Sequence, residues 1–387
     1  MHRLTFAAGA LALAFGAGPL AAEPIKIGFI ATMSGPGGAL GRDLLDGFQL
    51  GIDHAGGRLG GQELELLTDD DQLKPEVGLQ VATRMIEKDG VDIITGIVFS
   101  NVMMAIAKPV TDAGVFLISQ NAGPSPLAGE QCLANFFATS WQNDQSHEAM
   151  GKYLQDIGVQ RLYAMAPNYQ AGWDAIAGVK RYFQGEILGE VYTQINQPDY
   201  AAELAALRAA APEATFVFYP GGMGVNFVKQ YAQAGLGEQS PLYTAFTIDE
   251  ITLEAQGQAA LGNFASSFWT PEIDNPANHR FVEDFEAKYD RPPSAYAAQG
   301  YDAALLLDSA LAQVEGELAD QDGFRAALMA ADFDSVRGDF AFNSNHFPIQ
   351  DFYIRQVVET ENGGLGFATV AQAFDDHEDA YHEQCPM

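Results

Sequence analysis

Short runs of β-branched and aromatic residues alternate along this chain with longer segments whose apolar positions recur every three or four residues. Ile25–Met33 puts Ile25, Ile27 and Phe29 on one side of an extended run, and a helix is expected from Arg42 to His54. The couple then repeats: strand Leu64–Thr68, helix Pro75–Lys88 with proline in its first turn, strand Val91–Val98, helix Val102–Ala113 and strand Val115–Ser119. After an irregular Gly123–Phe137 the alternation starts afresh with helix Asp144–Ile157, strand Arg161–Ala166, helix Ala171–Phe183 and strand Glu186–Tyr192. It continues with helix Tyr200–Ala210, strand Ala214–Tyr219, helix Val225–Ala234 and strand Leu242–Phe246. Asn278–Ala330 reads as largely helical, and Phe352–Phe374 as a hairpin around Asn362-Gly363-Gly364. Successive strand–helix units build parallel sheets, so two such series predict an α/β chain of two Rossmann-like lobes.

The N-terminus breaks this pattern. Met1–Arg3 is basic, Leu4–Phe15 is apolar, and Gly16–Ala22 is rich in small residues, which together read as a secretory signal peptide cut after Ala22. No cysteine stands at the cut, so no direct membrane anchor is expected. In an oxidising compartment Cys132 and Cys385 are free to pair, the alternative being two unrelated thiols. The 387 residues carry 20 Lys and Arg against 51 Asp and Glu, a net charge of −31, which excludes routine binding to nucleic acid.

Ligands of open parallel sheets lie beyond the carboxyl ends of the strands. The loops there are Ser34–Gly38, Phe99-Ser100-Asn101, Gln120–Gly123, Pro167–Gly172, Pro220–Gly224 and Thr247-Ile248-Asp249, rich in Gly, Asn, Ser and aromatic residues and nearly empty of charge. Such a lining suits a small, largely apolar molecule with one polar end. An anionic end needs no Arg or Lys if it sits at a helix N-terminus, and Ser100 and Asn101 directly precede a helix; plain N-capping is their other reading. Enzyme signatures fail. Leu40 occupies the last glycine position of a GxGxxG spacing, no P-loop, HExxH or GxSxG occurs, and His147-Glu148 has no second His four residues on. Asp69-Asp70-Asp71 lacks the glycine and late glutamate of a calcium loop and is expected to be a solvated strand end. No cofactor, metal or catalytic residue is expected.

The chain resembles the leucine/isoleucine/valine-binding protein family, the periplasmic type I solute-binding proteins of ABC importers, and its aromatic-compound branch in particular. The residues that carry the likeness are Ile25-Lys26-Ile27-Gly28-Phe29 with Ser34-Gly35-Pro36, Asp69-Asp70-Asp71, Gly96–Ser100 and Gly114–Ser119. Tyr169-Gln170-Ala171-Gly172, Tyr219-Pro220-Gly221-Gly222 and Tyr296–Ala303 extend it over essentially the whole mature chain. The resemblance implies two lobes with parallel central sheets, joined by three hinge crossings near Ser140-Trp141, Trp269-Thr270 and Phe342-Asn343. Residues 23–140 and 270–342 would then form the first lobe, and 141–269 and 343–387 the second.

Carried over position by position, the resemblance assigns a ligand carboxylate to Ser100, Asn121 and the backbone of Gly123, and wall positions to Tyr169 and Met223. The acid that pairs with an amino-acid ammonium would fall near Phe246, where this chain has none; Asp249 and Glu250 are the nearest acids in sequence. A ring lying against Phe246, Phe99, Met223, Tyr169 and Tyr296 is therefore expected, with Leu40, Asn101 and Trp141 in the contact set. Arg42, at the mouth of the first loop, either meets the acid or pairs with Asp43 or Asp46. The function implied is capture of an aromatic carboxylic acid in the periplasm for ABC permease subunits of the inner membrane. Branched-chain amino acids or branched 2-keto acids are the alternative ligands, and a ligand-sensing domain feeding a receptor or regulator is the alternative class.

Overall fold

The structure is a computed structural model, and it describes residues 24–237 and 239–387. The expected signal peptide, residues 1–22, lies outside the described residues.

The first lobe is built on strands β1 (Ile25–Ala31), β2 (Leu64–Asp70), β3 (Ile93–Gly96), β4 (Phe116–Ser119) and β5 (Phe136–Ala138). They pair in parallel in the order β2-β1-β3-β4-β5. Helices α1 (Gly38–His54), α2 (Pro75–Arg84), α3 (Ser100–Asp112) and the short α4 (Ser125–Ala128) connect them. β3 and β4 are buried at every position, which is why they read as continuous apolar runs rather than alternating ones. The helix expected to run to Lys88 ends at Arg84 and passes into a wider π turn at Met85–Asp89, closed by left-handed Gly90. β5 was hidden in the segment expected to be irregular. The acidic run at the end of β2 is only partly solvated: Asp69 and Asp70 are half-buried, whereas Asp71 is fully buried, accepts hydrogen bonds from Thr32 Oγ1 and from the Leu73 N–H at 2.8 Å, and has its pKa raised by that burial.

The second lobe follows with α5 (Asn143–Asp156), β6 (Arg161–Pro167), α6 (Gln170–Tyr182), β7 (Glu186–Thr193), α7 (Ala201–Ala210), β8 (Ala214–Val217), α8 (Gly222–Gln233), β9 (Leu242–Ala245), α9 (Glu250–Gln256) and β10 (Phe264–Ser267). The parallel strands run β7-β6-β8-β9-β10, repeating the order of the first sheet. The chain then returns to the first lobe through α10 (Pro276–Tyr289), α11 (Ala295–Gln313) and α12 (Gln321–Ala330). α11 packs along α1 at a distance only glycine permits: a Cβ on Gly47 would stand 1.9 Å from the Ala297 carbonyl oxygen, and one on Gly300 2.1 Å from that of Leu44. Phe324 of α12 meets Phe116 of β4 edge-on at 4.8 Å.

The last strands are β11 (Ala341–Phe342), β12 (Pro348–Glu359) and β13 (Leu365–His377). β12 joins the second sheet antiparallel to β10, and β13 extends it as the hairpin expected around Asn362-Gly363-Gly364. The expected placement of residues 343–387 in the second lobe fails at both ends. His346 accepts a hydrogen bond on its carbonyl from Ala138 N (3.1 Å) and stacks on Phe137 at 4.0 Å, so the chain leaves the first lobe only as β12 begins. After β13 the tail comes back: Asn345 donates to Asp379 (3.0 Å), and Cys385 is disulfide-bonded to Cys132, 253 residues away. Local periodicity carries no trace of a tail position set by a covalent link of that span.

Candidate ligand site between the lobes

In each sheet the connections diverge on either side of one strand pair, β1/β3 in the first and β6/β8 in the second, and ligands of such sheets bind at that point. The two switch points face each other. Val98, Phe99 and Ser100 follow β3, Leu40 lies in the first turn of α1, Tyr169 and Ala171 follow β6, and Phe218 and Pro220 follow β8; all line one cavity. Trp141 and His147, which follow β5, and Tyr296 of α11 close it. The space left between these side chains is narrow, a cavity of about 20 Å³.

Phe99 holds the N-cap position of α3 with an extended backbone, so the first turn of that helix, beginning at Ser100, points its free N–H groups inward. Tyr169 holds the same position on α6. Two helix N-termini, one from each lobe, thus face the cavity and favour a negative charge there. None of the lining residues is Lys, Arg, Asp or Glu.

Asn143 ties the floor together. Its Nδ2 donates to Ser100 Oγ (3.0 Å) and to Asp174 (2.8 Å), and its Oδ1 accepts from the Gly123 N–H (3.1 Å) and from Trp141 Nε1 (3.2 Å). Asp174, on α6, in turn accepts from the hydroxyl and N–H of Ser125 in the first lobe. These bonds join the two lobes, and they describe the closed arrangement. Burial raises the Asp174 pKa.

The remaining walls are aromatic. The rings of Trp141 and Phe246 lie 3.8 Å apart, Phe246 and Tyr296 meet edge-on at 6.2 Å, and Tyr169 lies between Phe99 (6.3 Å) and Phe218 (6.4 Å). Phe246 adopts φ = 55°, a left-handed backbone that a large side chain takes only when its surroundings impose it. Burial holds the Tyr169 and Tyr296 phenols well above their usual pKa, so both stay neutral.

Of the residues expected at the site, Ser100, Asn121, Phe99, Tyr169, Phe246, Tyr296, Leu40 and Trp141 line the cavity. Four do not. Asn101 lies in the first turn of α3, outside the lining. Gly123 spends its N–H on Asn143, and a Cβ there would stand 2.0 Å from the Trp141 carbonyl. Met223 is buried, with its sulfur accepting from Asn196 N. Arg42 donates to the Met33 carbonyl and lines a separate groove between α1, α9 and the β12–β13 hairpin, while Asp43 and Asp46 pair with Arg291. Asp249 and Glu250 are no better placed: Asp249 caps α9 through Thr252, and Glu250 pairs with Arg355. Sequence reasoning missed Asn143, His147 and Phe218. The run Asn143–Glu148 is wholly polar apart from its helical setting, yet every residue in it is buried, so polarity pointed to solvent and misled.

The description "Periplasmic binding protein" belongs to a family whose profile matches residues 24–364. The chain belongs to the periplasmic binding protein family. Among solved structures, this periplasmic binding protein is similar to an R. palustris ABC-transporter solute-binding protein in complex with benzoate, at 30% identity and TM-score 0.89 over 94% of this chain and 100% of that one. It is also similar to one from Rhodopseudomonas palustris BisB5 in complex with 3,4-dihydroxybenzoic acid, at 28% identity and TM-score 0.84 over 92% and 99%. A Brucella melitensis relative, the Leu/Ile/Val-binding protein homolog 6, shares 24% of 357 aligned residues, covering 88% of this chain and 90% of its own. Among the described residues no helix is long and apolar enough to cross a membrane, and no cluster of His, Cys, Asp and Glu is built to hold a metal.

Proposed function

We propose that this periplasmic binding protein captures a small aromatic carboxylic acid between its lobes, makes and breaks no bond in it, and presents it to the permease subunits of an ABC importer in the inner membrane. The observation that carries the reading is the cavity's division of labour. Ser100 and the α3 N-terminus offer donors to a carboxylate, Trp141, Phe246 and Tyr296 offer faces to a ring, and no charged side chain lines the space. A carboxylate gains from the helix end, and a flat ring gains from burial and offset stacking. An amino-acid ammonium would lose its water and meet no acid, a penalty of several kcal/mol. The benzoate and dihydroxybenzoate complexes of the two R. palustris proteins support the same ligand class.

The signal peptide would be removed after Ala22, leaving residues 23–387 in the periplasm. The first lobe would comprise residues 23–140, 270–347 and the disulfide-tied tail, and the second 141–269 and 348–377, with closure rotating one onto the other. A thermal-shift series on the mature chain tests the reading, because ligands of the folded state raise its melting temperature. Benzoate-type acids should raise it while Leu, Val and their 2-keto acids do not; the reverse result would overturn the aromatic assignment.

A further inference from the structure

His147 lines the cavity from α5, is 2% exposed, and has its imidazole among the rings of Phe218 (5.0 Å), Phe216 (5.7 Å) and Phe246 (6.3 Å). Neither of its nitrogens is hydrogen-bonded to another described residue, and Nδ1 is shielded without any partner. Burial alone depresses its pKa, to about 3, so the imidazole is neutral and carries one donor and one acceptor. On the opposite side of the cleft, Asn121 Nδ2 donates to the Val98 carbonyl (2.6 Å), which turns Oδ1 into a second buried acceptor with no partner. Buried polar groups without partners are rare in folded proteins, because each forfeits the hydrogen bonds that water gave it.

An unsubstituted benzoate brings only acceptors. Its carboxylate uses the donors at the α3 N-terminus, and its ring leaves the acceptor nitrogen of His147 and Asn121 Oδ1 dry and unpaired. A ring hydroxyl both donates and accepts, which is the complement of a neutral imidazole. We propose that His147 reads a hydroxyl group on the ligand ring, so that the protein selects hydroxylated aromatic acids over benzoate. The proposal rests on the aromatic-acid reading of the same cavity and narrows it to a chemical subclass.

Isothermal titration of the mature chain with benzoate, 3-hydroxybenzoate, 4-hydroxybenzoate and 3,4-dihydroxybenzoate measures the selectivity directly. At least one hydroxylated acid should bind about tenfold or more tighter than benzoate, the worth of one well-made buried hydrogen bond. In His147→Phe, a substitution suited to the aromatic surroundings, that ratio should collapse towards one, and His147→Gln, which can still donate and accept, should keep part of it. In the wild-type protein labelled with ¹⁵N-histidine, a hydroxylated acid should shift the ring nitrogen resonances of His147 further than benzoate does, a readout that needs no variant to fold. Equal or tighter binding of benzoate overturns the inference and leaves the aromatic-acid reading standing. A ratio unchanged in His147→Phe removes His147 as the reader, and binding by no aromatic acid at all overturns both.

Discussion

Arg337 Nε donates to Asp302 Oδ2 across 2.8 Å, and the two side chains are 2% and 0% exposed. The same guanidinium donates to the carbonyls of Thr139 (2.6 Å) and Ser140 (3.1 Å) and to Gln350 Oε1 (2.8 Å), and it lies 5.5 Å from the ring of Phe268. Three of the segments that pass between the lobes therefore meet at one arginine, which Asp302 of α11 holds in place.

Removing one partner of a buried ion pair strands the other. Arg337→Met and Asp302→Asn should each lower stability by about 3–5 kcal/mol in urea unfolding. The double variant should recover little, because the backbone carbonyls of residues 139 and 140 lose their donor in any case. Full recovery in the double variant would reduce Arg337 to a simple counter-ion for Asp302.

Ser100 supplies the side-chain hydroxyl at the α3 N-terminus, where the proposed carboxylate sits. Ser100→Ala should weaken binding of aromatic acids about 10- to 100-fold, the range for a hydrogen bond to a charged group. The check is titration calorimetry, with circular dichroism to establish that the fold is intact.

Phe246 combines a wall position with a left-handed backbone. Deleting its ring should cost roughly 1.5–3 kcal/mol of binding in both Phe246→Ala and Phe246→Gly. The glycine variant should nevertheless be the more stable of the two by about 0.5–1 kcal/mol, since it adopts positive φ without the Cβ clash. Thermal unfolding of the two variants side by side decides it.

The Cys132–Cys385 link closes most of the chain into one loop. The double serine variant should lose about 2–5 kcal/mol of stability. A reducing agent should lower the wild-type melting temperature and leave the variant's unchanged; equal melting temperatures throughout would show the tail to be held by its other contacts.

Folded His147 stays neutral down to a pH of about 3, whereas in the unfolded chain it takes up a proton near the ordinary value of 6.5. Between those values the unfolded state binds more protons. The contribution is therefore fully present above pH 6.5 and is lost as pH falls through that window, at up to about 1.4 kcal/mol per pH unit. His147→Phe lacks the group, so its stability should fall less steeply than the wild type's from pH 6.5 to pH 4. Parallel curves would mean that the imidazole protonates without unfolding the cleft.

The amino-acid sequence by itself determined the alternation of strand and helix, and with it two parallel-sheet lobes, because parallel strands buried on both faces and amphipathic helices have distinct periods that no long-range contact needs to supply. It also marked the strand-end loops that hold Phe99, Ser100, Asn121 and Tyr169, while Phe246 is reached only through the family resemblance. Short elements escaped: β5, α9 and β10 carry too few residues to show a period. The tertiary structure alone decided which loop residues turn inward. Met223 and Phe218 are equally apolar and both follow β8, yet packing buries one in the lobe and leaves the other on the cavity wall. It alone brought His147 to that wall, since a polar helical turn reads as solvated until the aromatic residues Phe216, Phe218 and Phe246 of its own lobe pack over it. It alone returned Cys385 to Cys132 and gathered three of the crossings around Arg337, because contacts between residues far apart along the chain leave no local pattern to read.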